Sequence, residues 1–89
     1  DTLNQLPGVA ESALIGAPHA DFGEAGVAVV VAKAGAAPDP AAIVAALKAR
    51  IANFKVPKRV FVVDELPRNA MGKVQKNVLR ERYKGVFGE

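Results

Sequence analysis

Six consecutive residues, Val27-Ala28-Val29-Val30-Val31-Ala32, carry no polar side chain. A strand with one solvated face would alternate apolar and polar residues, so this run reads as a central strand covered on both faces. In a chain of 89 residues such cover leaves room for one small domain at most. The other elements must therefore supply flanking strands and helices on either side.

Residues 9–17 read as a second strand, with Val9, Ala13, Leu14 and Ile15, ending at Gly16-Ala17-Pro18. Residues 18–24 read as a turn in which Gly23 can take a positive φ, so the two strands can pair antiparallel. The clearest helix signal spans residues 39–52. Asp39 is a good N-cap, Pro40 suits the first helical position, and Ile43, Leu47 and Ile51 recur every fourth residue beside Val44. Asn53 can end it. Residues 59–64 form a third strand, and residues 75–84 a second helix with Val74, Val78 and Leu79 on one side. Residues 2–6 resemble the end of another helix. The fold class expected is α+β: a small β-sheet packed with about three helices.

Composition removes several kinds of chemistry. There is no cysteine, so disulfide frameworks, thiolate zinc sites and Cys nucleophiles are excluded. His19 is the sole histidine, with no partner for a His-rich metal site and nothing nearby to orient it as a base. It reads as a surface turn residue. No apolar run approaches the roughly 20 residues that span a bilayer, so no membrane role is expected. A cysteine-free domain without a signal-like start suits a reducing, cytoplasmic setting.

The net charge is only +3, but between Leu66 and Arg80 lie Arg68, Lys73, Lys76 and Arg80 and no acidic residue. Within that segment, Gly72-Lys73 invites comparison with a phosphate-binding P-loop. The match fails, because Pro67 stands where the first glycine is needed and Val74 where Ser or Thr is needed. Lys73 instead follows a flexible glycine on a loop running into a helix, where a long stem can carry a point charge into a neighbouring site. On residue types alone three uses stay open: such a cation, one more solvated lysine, or a basic row Lys73-Lys76-Arg80-Lys84 for nucleic acid. The last lacks interleaved aromatics and is interrupted by Glu81, so no nucleic-acid partner is expected.

The run Phe54-Lys55-Val56-Pro57-Lys58-Arg59-Val60-Phe61-Val62-Val63-Asp64-Glu65-Leu66-Pro67, then Gly72-Lys73, resembles the C-terminal domain of the adenylate-forming superfamily. Pro18-His19-Ala20-Asp21-Phe22-Gly23-Glu24 and the valine strand extend the likeness over nearly the whole chain. Among subfamilies it most resembles malonyl-CoA synthetases. The resemblance implies one C-terminal lid domain, residues 1–89, from a larger two-domain AMP-forming acid–CoA ligase. ATP, Mg2+ and the acid would be held mainly by an N-terminal adenylation domain, with coenzyme A as co-substrate. Lys73 matches the family's adenylation lysine, whose acetylation switches off several bacterial relatives; a protein acetyltransferase and a deacetylase are then implied partners. Phe54 and Lys58 match positions that stack on the coenzyme's adenine and pair with its 3′-phosphate in some ligases, whereas the intervening Val56 replaces a third phosphate contact. Read as a free-standing module, the same chain would be an interaction domain or a substrate for acetylation.

Overall fold

A computed structural model of the chain describes residues 2–52 and 55–88. The valine run lies in β2 (Gly23–Ala32), the middle strand of a three-stranded sheet, between β1 (Val9–His19) and β3 (Arg59–Val63). β1 and β2 are antiparallel, with Ile15 opposite Val27 and Ala13 opposite Val29. β2 and β3 are parallel, with Val27 opposite Arg59. A parallel pair needs a crossover, which α1 (Pro40–Lys48) supplies. A second helix, α2 (Lys76–Tyr83), follows β3, and one 3-10 turn (Leu3–Gln5) precedes β1. The α+β class is as expected. The first of the three helices is this single turn.

Val27, Ala28, Val29 and Val30 have no exposed surface. Successive strand residues point to opposite faces, so β2 is the shared wall of two cores. Ala28 and Val30 pack with Leu3, Leu6, Val9, Ile43, Leu47 and Val60 on the α1 side. Val27 and Val29 pack with Ala13, Ile15, Ala17, Leu66, Leu79 and Tyr83 on the α2 side. Phe61 stacks on Tyr83 there, with ring centroids 4.6 Å apart. Val9 and Ala13 would share a face in a regular strand, yet they serve different cores. The register explains this: Val9 pairs with Ala32 but Glu11 with Val31, so Ala10 is one residue too many. This β-bulge reverses the facing of everything after it.

β1 runs two residues beyond the expected end, with Pro18 opposite Glu24 and His19 opposite Gly23. Proline is tolerated there because β1 is an edge strand and the missing N–H costs no ladder bond. Gly23, at φ +74°, begins β2. In α1 the Asp39 carboxylate accepts from the Ala41 amide at 3.3 Å, as an N-cap should. The helix ends at Lys48, short of the expected Ala52, because Leu47 O accepts from both Arg50 N and Ile51 N and the last turn tightens. Ile51 nevertheless packs half-buried on the same core, so the four-residue stripe holds. Asn53 lies outside the described residues.

α2 departs from expectation in its buried face. Leu79 and Tyr83, one turn apart, are buried, whereas Val78 is 39% exposed. Val74 lies before the helix and is half-buried. Leu66 and Leu79 thus anchor the two ends of the 67–75 segment in one core. Leu79→Ala should therefore destabilise the domain by about 2–5 kcal/mol, and Val78→Ala by less than about 1 kcal/mol. Urea unfolding of the 89-residue chain checks both, and equal losses would contradict the assigned face.

Candidate functional site

Residues 67–75 fold into a miniature hairpin. Arg68 and Val74 form an antiparallel bridge, and Gln75 N donates to Pro67 O at 2.8 Å. Inside that ring Asn69 N donates to Lys73 O at 3.0 Å and Gly72 N to Asn69 O at 2.9 Å. Gly72 takes φ +80°, the left-handed position that a three-residue hairpin loop requires. The Asn69 side chain completes the turn: its Oδ1 accepts from Met71 N and from Lys73 N, each at 3.0 Å.

The backbone N–H and C=O of Lys73 are thus both held by Asn69. Its side chain is exposed and, among the described residues, has no ion pair or hydrogen bond. The base is fixed and the ammonium is free. The same geometry explains why Gly72-Lys73 is not a phosphate cradle. A P-loop aims its amides outward at the anion, whereas the amides of Met71, Gly72 and Lys73 are all turned onto Asn69.

The basic face anticipated between Arg68 and Arg80 is only partly solvated. Arg68 donates from Nη1 to Gly72 O at 2.6 Å and pairs through Nη2 with Glu11 on β1. Lys76 and Arg80 remain exposed on α2. Lys73 lies outside that helix and Lys84 pairs with Glu81 at 2.7 Å, so the four basic residues do not make one helical row.

A second cluster lies at the other end of the β1–β2 hairpin. Lys58 Nζ sits 4.8 Å from the centroid of the Phe22 ring, which is 60% exposed. The Lys58 amide donates to Gly26 O at 2.8 Å and fixes that residue beside β2. His19 stands between Phe22 and Phe87, with centroids at 4.6 Å and 5.1 Å, and its Nδ1 accepts from Asp21 N at 3.1 Å. It is therefore a half-buried spacer at the end of β1, not a turn residue. Val56 is buried in the core on the α1 side. Phe54 lies outside the described residues. Phe22 escaped the sequence reading, although an aromatic between Asp21 and Gly23 in a turn is a signal that could have found it.

Lys58 and Phe22 are brought together; Lys73 joins neither. Glu11, beside the Lys73 loop, and His19, beside Phe22, are eight residues apart on one strand. At about 3.3 Å per residue that places the two clusters on the order of 25 Å apart. No group of three or more His, Cys, Asp or Glu side chains that could hold a metal occurs among the described residues.

The model described as "AMP-binding enzyme C-terminal domain" matches residues 1–73, ending on Lys73 itself. The 3-[(3aS,4S,7aS)-7a-methyl-1,5-dioxo-octahydro-1H-inden-4-yl]propanoyl:CoA ligase of Rhodococcus jostii is 56% identical over 84 residues, covering 94% of this chain and 16% of the ligase. The indoleacetate–CoA ligase of Aromatoleum aromaticum is 43% identical over 79 residues, covering 89% of this chain and 16% of its own length. The crystal structure of ATP-bound MatB from Rhodopseudomonas palustris superposes with a TM-score of 0.92 at 56% identity, over 96% of this chain and 17% of MatB. The chain thus spans about one sixth of the length of the proteins it matches. The likeness in sequence is matched by likeness in fold, and the chain belongs to the AMP-binding enzyme C-terminal domain family.

Proposed function

We propose that this chain is the mobile C-terminal domain of an AMP-forming acid–CoA ligase, and that Lys73 is the cation it supplies to adenylate formation. The observation that carries this reading is the Lys73 loop, in which Asn69 holds the backbone while the ammonium stays unengaged among the described residues. In the first half-reaction a carboxylate oxygen attacks the α-phosphorus of ATP, and the bond to the pyrophosphate oxygen breaks. Two anions must approach, and charge grows on the phosphoryl oxygens. A cation already placed there stabilises that arrangement without reorganising. Mg2+, which the resemblance places with ATP on the N-terminal adenylation domain, would screen the phosphate oxygens there.

In the second half-reaction the coenzyme A thiolate attacks the acyl carbon and AMP leaves. Lys58 and Phe22 suit this step: an exposed aromatic face with an ammonium above it can stack a purine and pair with a phosphate. By resemblance Phe54 joins them. The pair lies on the order of 25 Å from the Lys73 loop, at the other end of the β1–β2 hairpin, which fits a domain that presents a different face in each step. The acid is chosen by the N-terminal domain; malonate is the candidate that the likeness to malonyl-CoA synthetases suggests. Exposure also makes Lys73 a target for a protein acetyltransferase, reversed by a deacetylase, because acetylation removes the charge. A cytoplasmic setting accompanies this reading.

In the full-length enzyme Lys73→Ala should lower ATP–pyrophosphate exchange at least roughly 10²-fold and largely spare thioester formation from supplied acyl-adenylate. Intact exchange, or equal damage to both steps in a folded protein, would refute the assignment. Phe22→Ala, Phe54→Ala and Lys58→Ala should raise the KM for coenzyme A and leave exchange unchanged; an unaltered KM in all three would remove the coenzyme site from this face. The 89-residue chain alone should convert no ATP to AMP with any acid, malonate included, and turnover insensitive to Lys73→Ala would overturn the lid reading.

A further inference from the structure

Burial of Leu66 and Leu79 and packing of Val74 hold the ends of the Lys73 loop, and one polar side chain links its tip to the sheet. Arg68 donates from Nη1 to Gly72 O at 2.6 Å, the carbonyl immediately before Lys73, and from Nη2 to the Glu11 carboxylate. Arg68 and Glu11 are 57 residues apart in sequence. Asn69 makes the loop a closed ring, but its bonds all lie within residues 69–73 and fix no orientation relative to the sheet. The Arg68–Glu11 pair does.

Glu11 reaches that place because of the bulge at Ala10. Val9 faces the α1 core, while Ala13, Ile15 and Ala17 face the α2 core. With Ala10 as the extra residue, Glu11 falls on the α2 face in step with Ala13, beside the segment that Leu66 and Leu79 anchor. In a regular strand it would share Val9's face and point away from Arg68. Bulges re-aim side chains in this way next to functional sites. Both partners are about two-fifths exposed, so the pair contributes little to overall stability. Its consequence lies in where the loop points.

We infer that Glu11 and Arg68 are positioning residues for adenylation: the bulge aims Glu11, Glu11 orients the Arg68 guanidinium, and Arg68 sets the direction in which Gly72-Lys73 leaves the domain. This rests on the reading of Lys73 as the adenylation cation. Neither residue touches substrate; each acts through the placement of Lys73. A charge displaced by about 1 Å from the developing oxyanion loses much of its effect, so the step that uses Lys73 should suffer and the coenzyme step should not.

The test uses the full-length enzyme with Glu11→Gln, Arg68→Ala, the double variant Glu11→Gln/Arg68→Ala, and Lys73→Ala measured alongside. Each is assayed for ATP–pyrophosphate exchange and for thioester formation from supplied acyl-adenylate. Glu11→Gln and Arg68→Ala should lower kcat for exchange about tenfold, with KM for ATP and the thioester step within about twofold of wild type. The double variant should be no slower than Arg68→Ala alone, because Glu11 acts only through Arg68. Exchange unchanged in both single variants, while Lys73→Ala abolishes it, would overturn the clamp and leave the role of Lys73 standing. Equal slowing of both steps, or losses that add in the double variant, would reduce the contact to a structural one and overturn it too. Exchange surviving in Lys73→Ala would overturn the clamp together with the reading it rests on.

Discussion

Everything in this domain depends on β2 being buried on both faces. Four consecutive residues, Val27 to Val30, have no exposed surface, and a strand so enclosed must have apolar layers above and below it. The layer containing α1 is bridged to the sheet by the parallel crossover between β2 and β3. The layer containing α2 is held by Leu79 and Tyr83, with Phe61 stacked on Tyr83. Small domains have little core to spare, and using one strand as the wall of two cores is how this chain builds both from so few residues.

The loop that carries Lys73 inherits its position from the second of those cores. Leu66 enters the core before the loop and Leu79 after it, so the ends are fixed by burial. Between them the backbone satisfies itself through Asn69. Because Asn69, Met71 and Lys73 are exposed, water could replace these bonds at small cost. They contribute order more than stability. On the proposed reading Lys73 enters another domain's site for one step and leaves for the next, and an ordered loop whose ammonium is unengaged among the described residues suits that role. Only the side chain needs to adjust on arrival, and little conformational entropy is lost in doing so.

Much of the fold was legible in the sequence because it rests on local rules. The unbroken valine run announced a central strand, and Asp39-Pro40 with Ile43 and Leu47 announced α1. What escaped was set by contacts between distant segments. The end of α1 depends on a carbonyl shared by two amides, not on a stop residue. The bulge at Ala10 carries no glycine or proline to mark it and shows only in the pairing with β2. Val78 and Tyr83 both look like candidates for the buried face of α2, and the sheet alone decides between them. The role proposed for Lys73 rests on resemblance, since its residue type and spacing do not separate it from a solvated lysine. Arg68 read as part of a basic surface because its acidic partner belongs to β1, and Phe22 read as a turn residue because the lysine beside it comes from the distant segment that enters β3.

Backbone 15N relaxation of the 89-residue chain tests most directly whether Lys73 stands on a fixed loop. Amides of residues 69–74 should show order parameters of about 0.85, matching β2. In Asn69→Ala those of Met71 and Lys73 should fall while β2 stays unchanged. Wild-type values below about 0.6 for the loop would contradict the account, because a loop mobile on that timescale cannot hold a charge in readiness for a second domain.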